Sequence, residues 1–351
     1  MAKRFLGFLL LGLMCMTPAF GQDIPDTPDP DDVILPEPGQ DIPRERRAQT
    51  GFKFLSVSPD ARAAGMGDAY TAMKLASTAM FYNPASMAYF DRKIHVAAGQ
   101  IKWIADIDYN MGSVAFSTNL GVFGLSMVSV DYGDFERTVR ADTDLGFLDV
   151  GTYSPSAWAF GLGYAKAITD RFSVGGNVRI AKQSLGAGPI SLQGTTPVTK
   201  DFSEKSTIVD FGVLYWTGYK SLTFALNTRN FSSEKQYSEE SFELPLTFRM
   251  GLSMDFTDFT SLDKEAHSIL VSIDTERPRD FSEVVKIGVD YTIMKTLSLR
   301  AGYVTPSDEQ GISLGVGFGR DLGSMDLRVD YAYTDFGVFD KVNRLTIQAG
   351  F

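Results

Sequence analysis

The sequence predicts an all-β membrane protein: a closed antiparallel barrel of about fourteen transmembrane strands, preceded by a short helical hatch or plug. Three observations lead there. Segments of about ten residues alternate apolar and polar side chains from Lys93 to the carboxyl end, turn residues separate them, and no amphipathic helix interrupts the series. Period-two alternation gives a strand one apolar and one polar face, and many such segments in succession mark a membrane-spanning barrel. The last segment is the clearest. Leu345, Ile347, Ala349 and Phe351 are apolar, with Arg344, Thr346, Gln348 and Gly350 between them. Leu345, Ile347 and the terminal Phe351 read as a carboxyl-terminal insertion signal for the barrel-assembly machinery.

The chain opens with Lys3 and Arg4, runs apolar from Phe5 to Met14, and reads Ala19-Phe20-Gly21 before Gln22. A charged start, a short apolar centre and a small-x-small site predict a secretory leader over 1–21. Cys15 falls inside it, and Met14 argues against lipoprotein processing. The mature chain then holds no cysteine, which excludes disulfides, thiolate nucleophiles and Cys-ligated metals. Formal charge is −10, or −12 once Lys3 and Arg4 leave with the leader. An acidic chain of this kind is a poor nucleic-acid binder. Charged residues make up 22%, a soluble composition on its face, but only alternate residues of a barrel strand meet lipid.

Residues 22–50 stand apart. The stretch 22–48 holds six prolines and eight acidic residues, and Gln-Asp-Ile-Pro occurs at 22–25 and again at 40–43. Such a segment buries too little surface to offset its ordering entropy, so an extended periplasmic tether is expected. A solvated spacer and a docking arm are its two readings. Residues 51–92 form the hatch. Ser58-Pro59-Asp60 supplies a capping hydroxyl with proline at the first helical position. Ala61, Ala63, Ala64, Gly65, Gly67, Ala69 and Ala72 then predict a small-residue helix over 59–76, and Asn83-Pro84-Ala85 a turn.

Barrel strands are expected at 93–101, 107–117, 121–130, 155–167, 171–183, 205–216, 220–230, 244–256, 266–276, 282–293, 296–305, 310–319, 324–334 and 341–351. Connections after even-numbered strands are mostly short, as at 118–120, 169–170, 217–219 and 320–323. Those after odd strands include the long loops 131–154, 184–204 and 231–243. This asymmetry belongs to an outer-membrane barrel with its short turns in the periplasm, and strand parity then puts both termini there. The connection 257–265 is longer than its side of the barrel should allow. Trp103, Tyr132, Trp158, Trp216, Tyr219, Phe336 and Phe339, near strand ends, suggest an aromatic girdle. A soluble β-solenoid or sandwich array is the competing architecture.

The inward phase mixes signs: Arg179, Arg249, Lys286, Arg300, Arg328 and Arg344 against Asp255, Asp290, Asp326 and Asp330. A cross-braced, hydrated interior is the plain reading. Glycines share that phase at 161, 163, 175, 315, 317 and 319. Glycine in a strand marks bending or close backbone approach, so the hatch is expected to pack against them. Catalytic chemistry finds little footing. His95 and His267 lack an acidic partner at a useful spacing, and Gly311-Ile312-Ser313-Leu314-Gly315 matches a nucleophile-elbow string only within an alternating strand. Gly315-Val316-Gly317-Phe318-Gly319 mimics a dinucleotide loop with no helix after it. Acidic pairs such as Asp31-Asp32 and Glu239-Glu240 read as solvated rather than metal-binding. No enzyme, cofactor or metal site is expected.

The block Ser58-Pro59-Asp60-Ala61-Arg62-Ala63-Ala64-Gly65-Met66-Gly67-Asp68-Ala69, followed by Asn83-Pro84-Ala85, resembles the opening of the PorV/PorQ family. The distinctive positions are Ala61, Arg62, Gly65, Met66 and Gly67, with Asn83, Pro84 and Ala85 weaker because FadL-type barrels carry a similar string. The resemblance runs from about residue 51 to the end. It implies a FadL-like fourteen-stranded outer-membrane barrel that serves type IX secretion, with secretion-system proteins, exported cargo and outer-membrane lipid as partners. Two departures stand out: the acidic proline-rich tether, and Lys74-Leu75-Ala76-Ser77-Thr78-Ala79 where acidic residues precede Asn-Pro-Ala in the family. A FadL-like passive transporter of hydrophobic small molecules is the alternative function.

Overall fold

A computed structural model describes residues 50–142, 144–193, 196–237, 240–307 and 310–351. The expected leader and the tether ahead of Thr50 lie outside the described residues. Fourteen antiparallel strands close into a barrel. The wall begins with β1 (Ile94–Lys102), β2 (Asp108–Thr118) and β3 (Gly121–Asp131). A separate hairpin follows, β4 (Phe135–Arg140) with β5 (Phe147–Tyr153). The wall resumes with β6 (Ser156–Thr169), β7 (Phe172–Gln193), β8 (Thr196–Trp216) and β9 (Thr223–Phe231). A second small hairpin, β10 (Lys235–Gln236) with β11 (Ser241–Phe242), precedes β12 (Thr247–Asp255) and β13 (His267–Pro278). The wall ends with β14 (Val284–Ile293), β15 (Leu297–Thr305), β16 (Ile312–Asp321), β17 (Asp326–Asp335) and β18 (Lys341–Gly350). Closure comes from β1 pairing with β18, with Val96 opposite Ala349 and Ala98 opposite Ile347. All fourteen expected strands are present.

Closure satisfies the backbone amides that hydrocarbon cannot. Alternation does the rest. Phe160, Leu162, Tyr164, Phe248, Met250, Leu252, Leu345 and Ile347 are exposed on the outer face, and Phe351 is exposed at the end of the wall. Their inward-phase neighbours Ala159, Ala165, Arg249 and Arg344 are buried.

Three expectations need correction. The segment 184–204 is no loop. The β7–β8 ladder runs on to Gln193 opposite Thr196, with register shifts at Ser184/Ala187 and Pro189/Ser191. Glycine and proline there signal irregularity, but the bulges absorb it without ending the pairing. The loop 131–154 likewise contains a hairpin. The third concerns the aromatics. Trp103 and Phe336 meet edge to face at 5.0 Å, and Tyr132 packs on the same interior cluster. These rings cap the lumen instead of girdling the outer face.

The long connection 256–266 is a folded clasp. A 3-10 turn spans Phe256–Phe259, and Asp258 Oδ2 accepts from Ser221 N (2.8 Å) and Ser221 Oγ (2.6 Å) of the neighbouring short turn. Lys264 Nζ reaches Asp258 Oδ1 at 2.6 Å. The Lys264 and Ser221 hydrogen bonds hold the Asp258 carboxyl down at about 2. The extra length ties two turns of one rim together.

Candidate functional site

The hatch fills the barrel. Its one α-helix, α1, is Ala61–Gly65, far shorter than the expected 59–76. Gly67 and Asp68 both take positive φ (62° and 60°) and stop the helix. The remainder is short 3-10 turns at Lys53–Ser56, Ser77–Phe81 and Pro84–Tyr89. Asp60 caps α1 by accepting from Arg62 N at 3.0 Å. Its carboxyl is pushed up to about 6 by burial and by the nearby Asp330 carboxylate.

Glycines on the wall let this backbone come close. A methyl at Gly175 would lie 2.5 Å from Ala85 N and Pro84 C, and one at Gly65 would lie 2.9 Å from the Gly315 Cα. Gly302 meets Gly67, and Gly163 meets the Met80 sulfur. Gly161, Gly317 and Gly319 differ. Gly161 makes room for Arg179 and Ser126, Gly317 for the Arg300–Asp330 pair, and Gly319 lies against backbone oxygens at the short-turn rim. Asn83 acts as a staple. Its Nδ2 donates to Thr71 O and to Val213 O on β8, both at 3.1 Å, while its Oδ1 accepts from Ala85 N. Pro84 sits at the first helical position of the following turn. Met66 is fully buried against Gly288.

Three clusters of charge brace the interior, the first two joining hatch to wall and the third joining wall strands to one another. In the first, Asp290 Oδ2 accepts from Arg62 Nε and Arg300 Nε, each at 3.1 Å. Arg300 Nη1 lies 2.8 Å from Asp330 Oδ1, which Arg328 Nε approaches at 3.1 Å. In the second, Arg249 Nη2 meets Glu276 Oε2 at 2.9 Å and Lys286 contacts the same carboxylate. Asp274 Oδ2 beside them accepts from Tyr70 N and Thr71 N at 2.8 Å each. In the third, Arg179 Nη2 bridges Asp210 Oδ1 (2.7 Å) and Asn230 Oδ1 (2.6 Å). Arg344 stands between clusters, donating to Ser58 O and Thr334 Oγ1.

Asp255 and Asp326 lie at the short-turn rim. Asp255 holds Ser268 and Thr257, and Asp326 pairs with Arg92 at 3.0 Å. Sequence reading missed Asp210, Arg229, Asp274 and Glu276, although all four share the inward phase of their strands. His95 Nδ1 lies 2.8 Å from a hydroxyl, Ser77 Oγ, which in turn accepts from Ser113 Oγ. His267 Nδ1 is 3.0 Å from Tyr291 Oη. Ser313 is buried within β16 with Thr334 Oγ1 at 3.4 Å, so no strand-to-helix elbow exposes it.

Space in the lumen is scarce. A cavity between hatch and wall, lined by Phe54, Leu55, Phe81, Val128, Arg179 and Arg229, measures about 20 Å³, room for about one water. The arrangement can bind, brace and occlude. Among the described residues no group of three or more His, Cys, Asp or Glu is placed to hold a metal.

Comparison with known proteins agrees with this architecture. Solved structures superpose over most of the barrel: the Ralstonia pickettii toluene transporter TbuX has a TM-score of 0.55 at 11% identity, covering 84% of this chain and 98% of that one. The Pseudomonas putida toluene transporter TodX gives 0.55 at 12%, covering 84% and 97%. A Pseudomonas aeruginosa FadL homologue gives 0.53 at 11%, covering 84% and 98%. At such identities the likeness concerns the fold, a FadL-like barrel of the outer membrane. No curated protein sequence matches. The model for the type IX secretion system protein PorV matches residues 41–265, more than half of the chain, and the chain therefore belongs to the PorV family of type IX secretion proteins.

Proposed function

We propose that this barrel is an accessory component of type IX secretion that handles exported cargo or its surface attachment through its long-loop rim. The supporting observation is the combination of an occluded lumen with hairpins at one end. Arg62, Asp290, Arg300 and Asp330 cross-link hatch and wall, whereas β4–β5 and the outer half of β7–β8 extend from the odd-strand rim. A barrel filled by paired charges suits docking better than conduction. The short turns then face the periplasm together with Phe351, and the aromatic-bearing hairpins face outward. Other secretion-system proteins and exported cargo are the proposed partners. No catalytic step is assigned.

Affinity isolation of the tagged protein from native outer membranes, with identification of what comes with it, tests this reading. Recovery of secretion-machine subunits or cargo is the expected result. Recovery of neither, together with normal secretion in a strain lacking the gene, overturns it.

A second reading is passive transport of hydrophobic small molecules. It is favoured by the likeness in fold to two toluene transporters. It needs the hatch to move, since the cavity in place holds about one water. Faster hydrocarbon uptake by cells expressing the protein, or lipid retained in the purified lumen, would favour it.

A further inference from the structure

The first described residues are pinned at the long-loop rim. Thr50 forms a parallel bridge with Glu243, and Gly51 N donates to Glu243 O at 3.0 Å. Thr50 Oγ1 and Lys53 Nζ both donate to Asp280 Oδ2, at 2.6 and 2.8 Å. Phe52 N donates to Gln183 Oε1 at 3.0 Å, and its ring stacks on Phe242 at 6.2 Å. Glu243 and Phe242 precede β12, Asp280 precedes β14, and Gln183 lies toward the outer end of β7. All belong to the rim of the long connections.

The other end of the hatch leaves at the opposite rim. Arg92 donates to Gly323 O in the short turn between β16 and β17, and Lys93 N donates to Phe351 O. The polypeptide therefore crosses the lumen once, from the long-loop rim to the short-turn rim, before β1 begins.

Neither path from Thr50 back to the short-turn rim is favourable. The lumen is occupied by the hatch itself. A path down the outer wall would carry the charged side chains of Arg44, Glu45, Arg46 and Arg47 through hydrocarbon, which excludes them. We infer that the chain enters its barrel from the outside: its passage through the lumen begins at Thr50 and Gly51 on the outer face of the membrane, opposite Phe351. This rests on the orientation proposed above and reverses the expectation that both termini lie in the periplasm.

Single-cysteine variants in a Cys15→Ser background test it with a membrane-impermeant maleimide on intact and on permeabilised cells. Ala48→Cys is the probe, Leu145→Cys in the β4–β5 turn marks the long-loop side, and Leu322→Cys marks the short-turn side. Labelling of Ala48→Cys and Leu145→Cys on intact cells, to at least half of the permeabilised level, is the expected result, with Leu322→Cys labelled only after permeabilisation. Trypsin added to intact cells should also cut after Arg46 or Arg47 and leave the barrel whole. If Leu145→Cys labels on intact cells while Ala48→Cys does not and trypsin leaves the site uncut, the inference is overturned and the orientation stands. If Leu322→Cys alone labels on intact cells, orientation and inference fall together.

Discussion

Arg62 on the hatch and Arg300 on the wall donate to the same oxygen, Asp290 Oδ2, each through Nε at 3.1 Å. The Arg62 side chain is about a fifth exposed, while Arg300 and Asp290 are sealed off. That difference in burial separates their roles. Arg62 fastens the hatch, whereas Arg300 neutralises two carboxylates that have no access to water.

Arg300→Met should therefore be severe. Removing one member of a buried ionic set leaves uncompensated charge and costs about 3–5 kcal/mol. Asp290 would keep Arg62, but Asp330 would keep only the partly exposed Arg328. Arg62→Met should cost less, because Asp290 retains Arg300. Urea unfolding in detergent, followed by the heat-modifiable shift on gels, checks the order. Equal midpoints for the two variants would contradict it.

The glycine contacts give a steric test. Gly175→Val places a branched side chain where Ala85 N and Pro84 C already stand within 2.5 Å of a bare methyl. Overpacking costs about 1–3 kcal/mol, and more where backbone must yield. Gly112→Ala is the control, since its methyl would meet only Ala97 O at 4.0 Å. Protease resistance of the hatch should fall in the first variant and stay unchanged in the second.

The hatch was legible in composition but not in conformation. Alanine and glycine between 61 and 72 read as a helix because local propensity says so. Gly65, Met66 and Gly67 instead follow the wall at Gly315, Gly288 and Gly302, and tertiary contact overrides the helix after one turn. The strands were legible because period two has no competitor when one face meets hydrocarbon. Asp210 and Glu276 were overlooked although they alternate correctly, for their strands carry several polar residues on both phases. Trp103 and Phe336 misled for a related reason. An aromatic near a strand end reads alike whether it faces lipid or lumen, and only its contacts in the folded barrel, here Trp103 against Phe336, tell them apart.

Covalent trapping tests the packing of hatch on wall directly. Ala64 and Ala332 share one buried cluster with Ala61. In a Cys15→Ser background, the pair Ala64→Cys/Ala332→Cys should oxidise to an intrachain disulfide, seen as a reducible change in gel mobility. Ala64→Cys with Leu299→Cys, whose side chain is exposed on the outer face, should not. Failure of the first pair under mild oxidant would count against a seated hatch.

Two carboxyls give a pH signature with separable windows. Asp60 titrates near 6 in the folded chain and near 3.8 when unfolded, because burial and Asp330 disfavour its charge. Between those values the folded state binds more protons, so this group's contribution to stability declines as pH rises from about 4 to about 6 and is flat above. Asp258 acts oppositely. Lys264 and Ser221 hold it at about 2, so its contribution is present above about 4 and is lost as pH falls toward 2. Asp60→Asn should remove the slope between 4 and 6 while keeping an acceptor for the Arg62 amide. Unfolding midpoints across that range are the measurement, and an unchanged slope in Asp60→Asn would assign it elsewhere.

Arg229 supplies the last contrast. It is buried on β9 among Arg179, Arg249 and the carboxylates of Asp210 and Glu276. Arg179, two strands away on β7, is held by Asp210 and Asn230. Asp210 keeps Arg179, and Glu276 keeps Arg249 and Lys286, when Arg229 is exchanged for an apolar chain of similar volume, so the exchange removes a desolvation cost and leaves neither carboxylate unpaired. Arg229→Met should thus match or exceed the parent in urea midpoint, while Arg179→Met should fall below it by about 3 kcal/mol through the abandoned Asp210. If Arg229→Met loses as much as Arg179→Met, the guanidinium has a bound partner in solution, and the small cavity it lines beside Phe54 and Phe81 is where that partner sits.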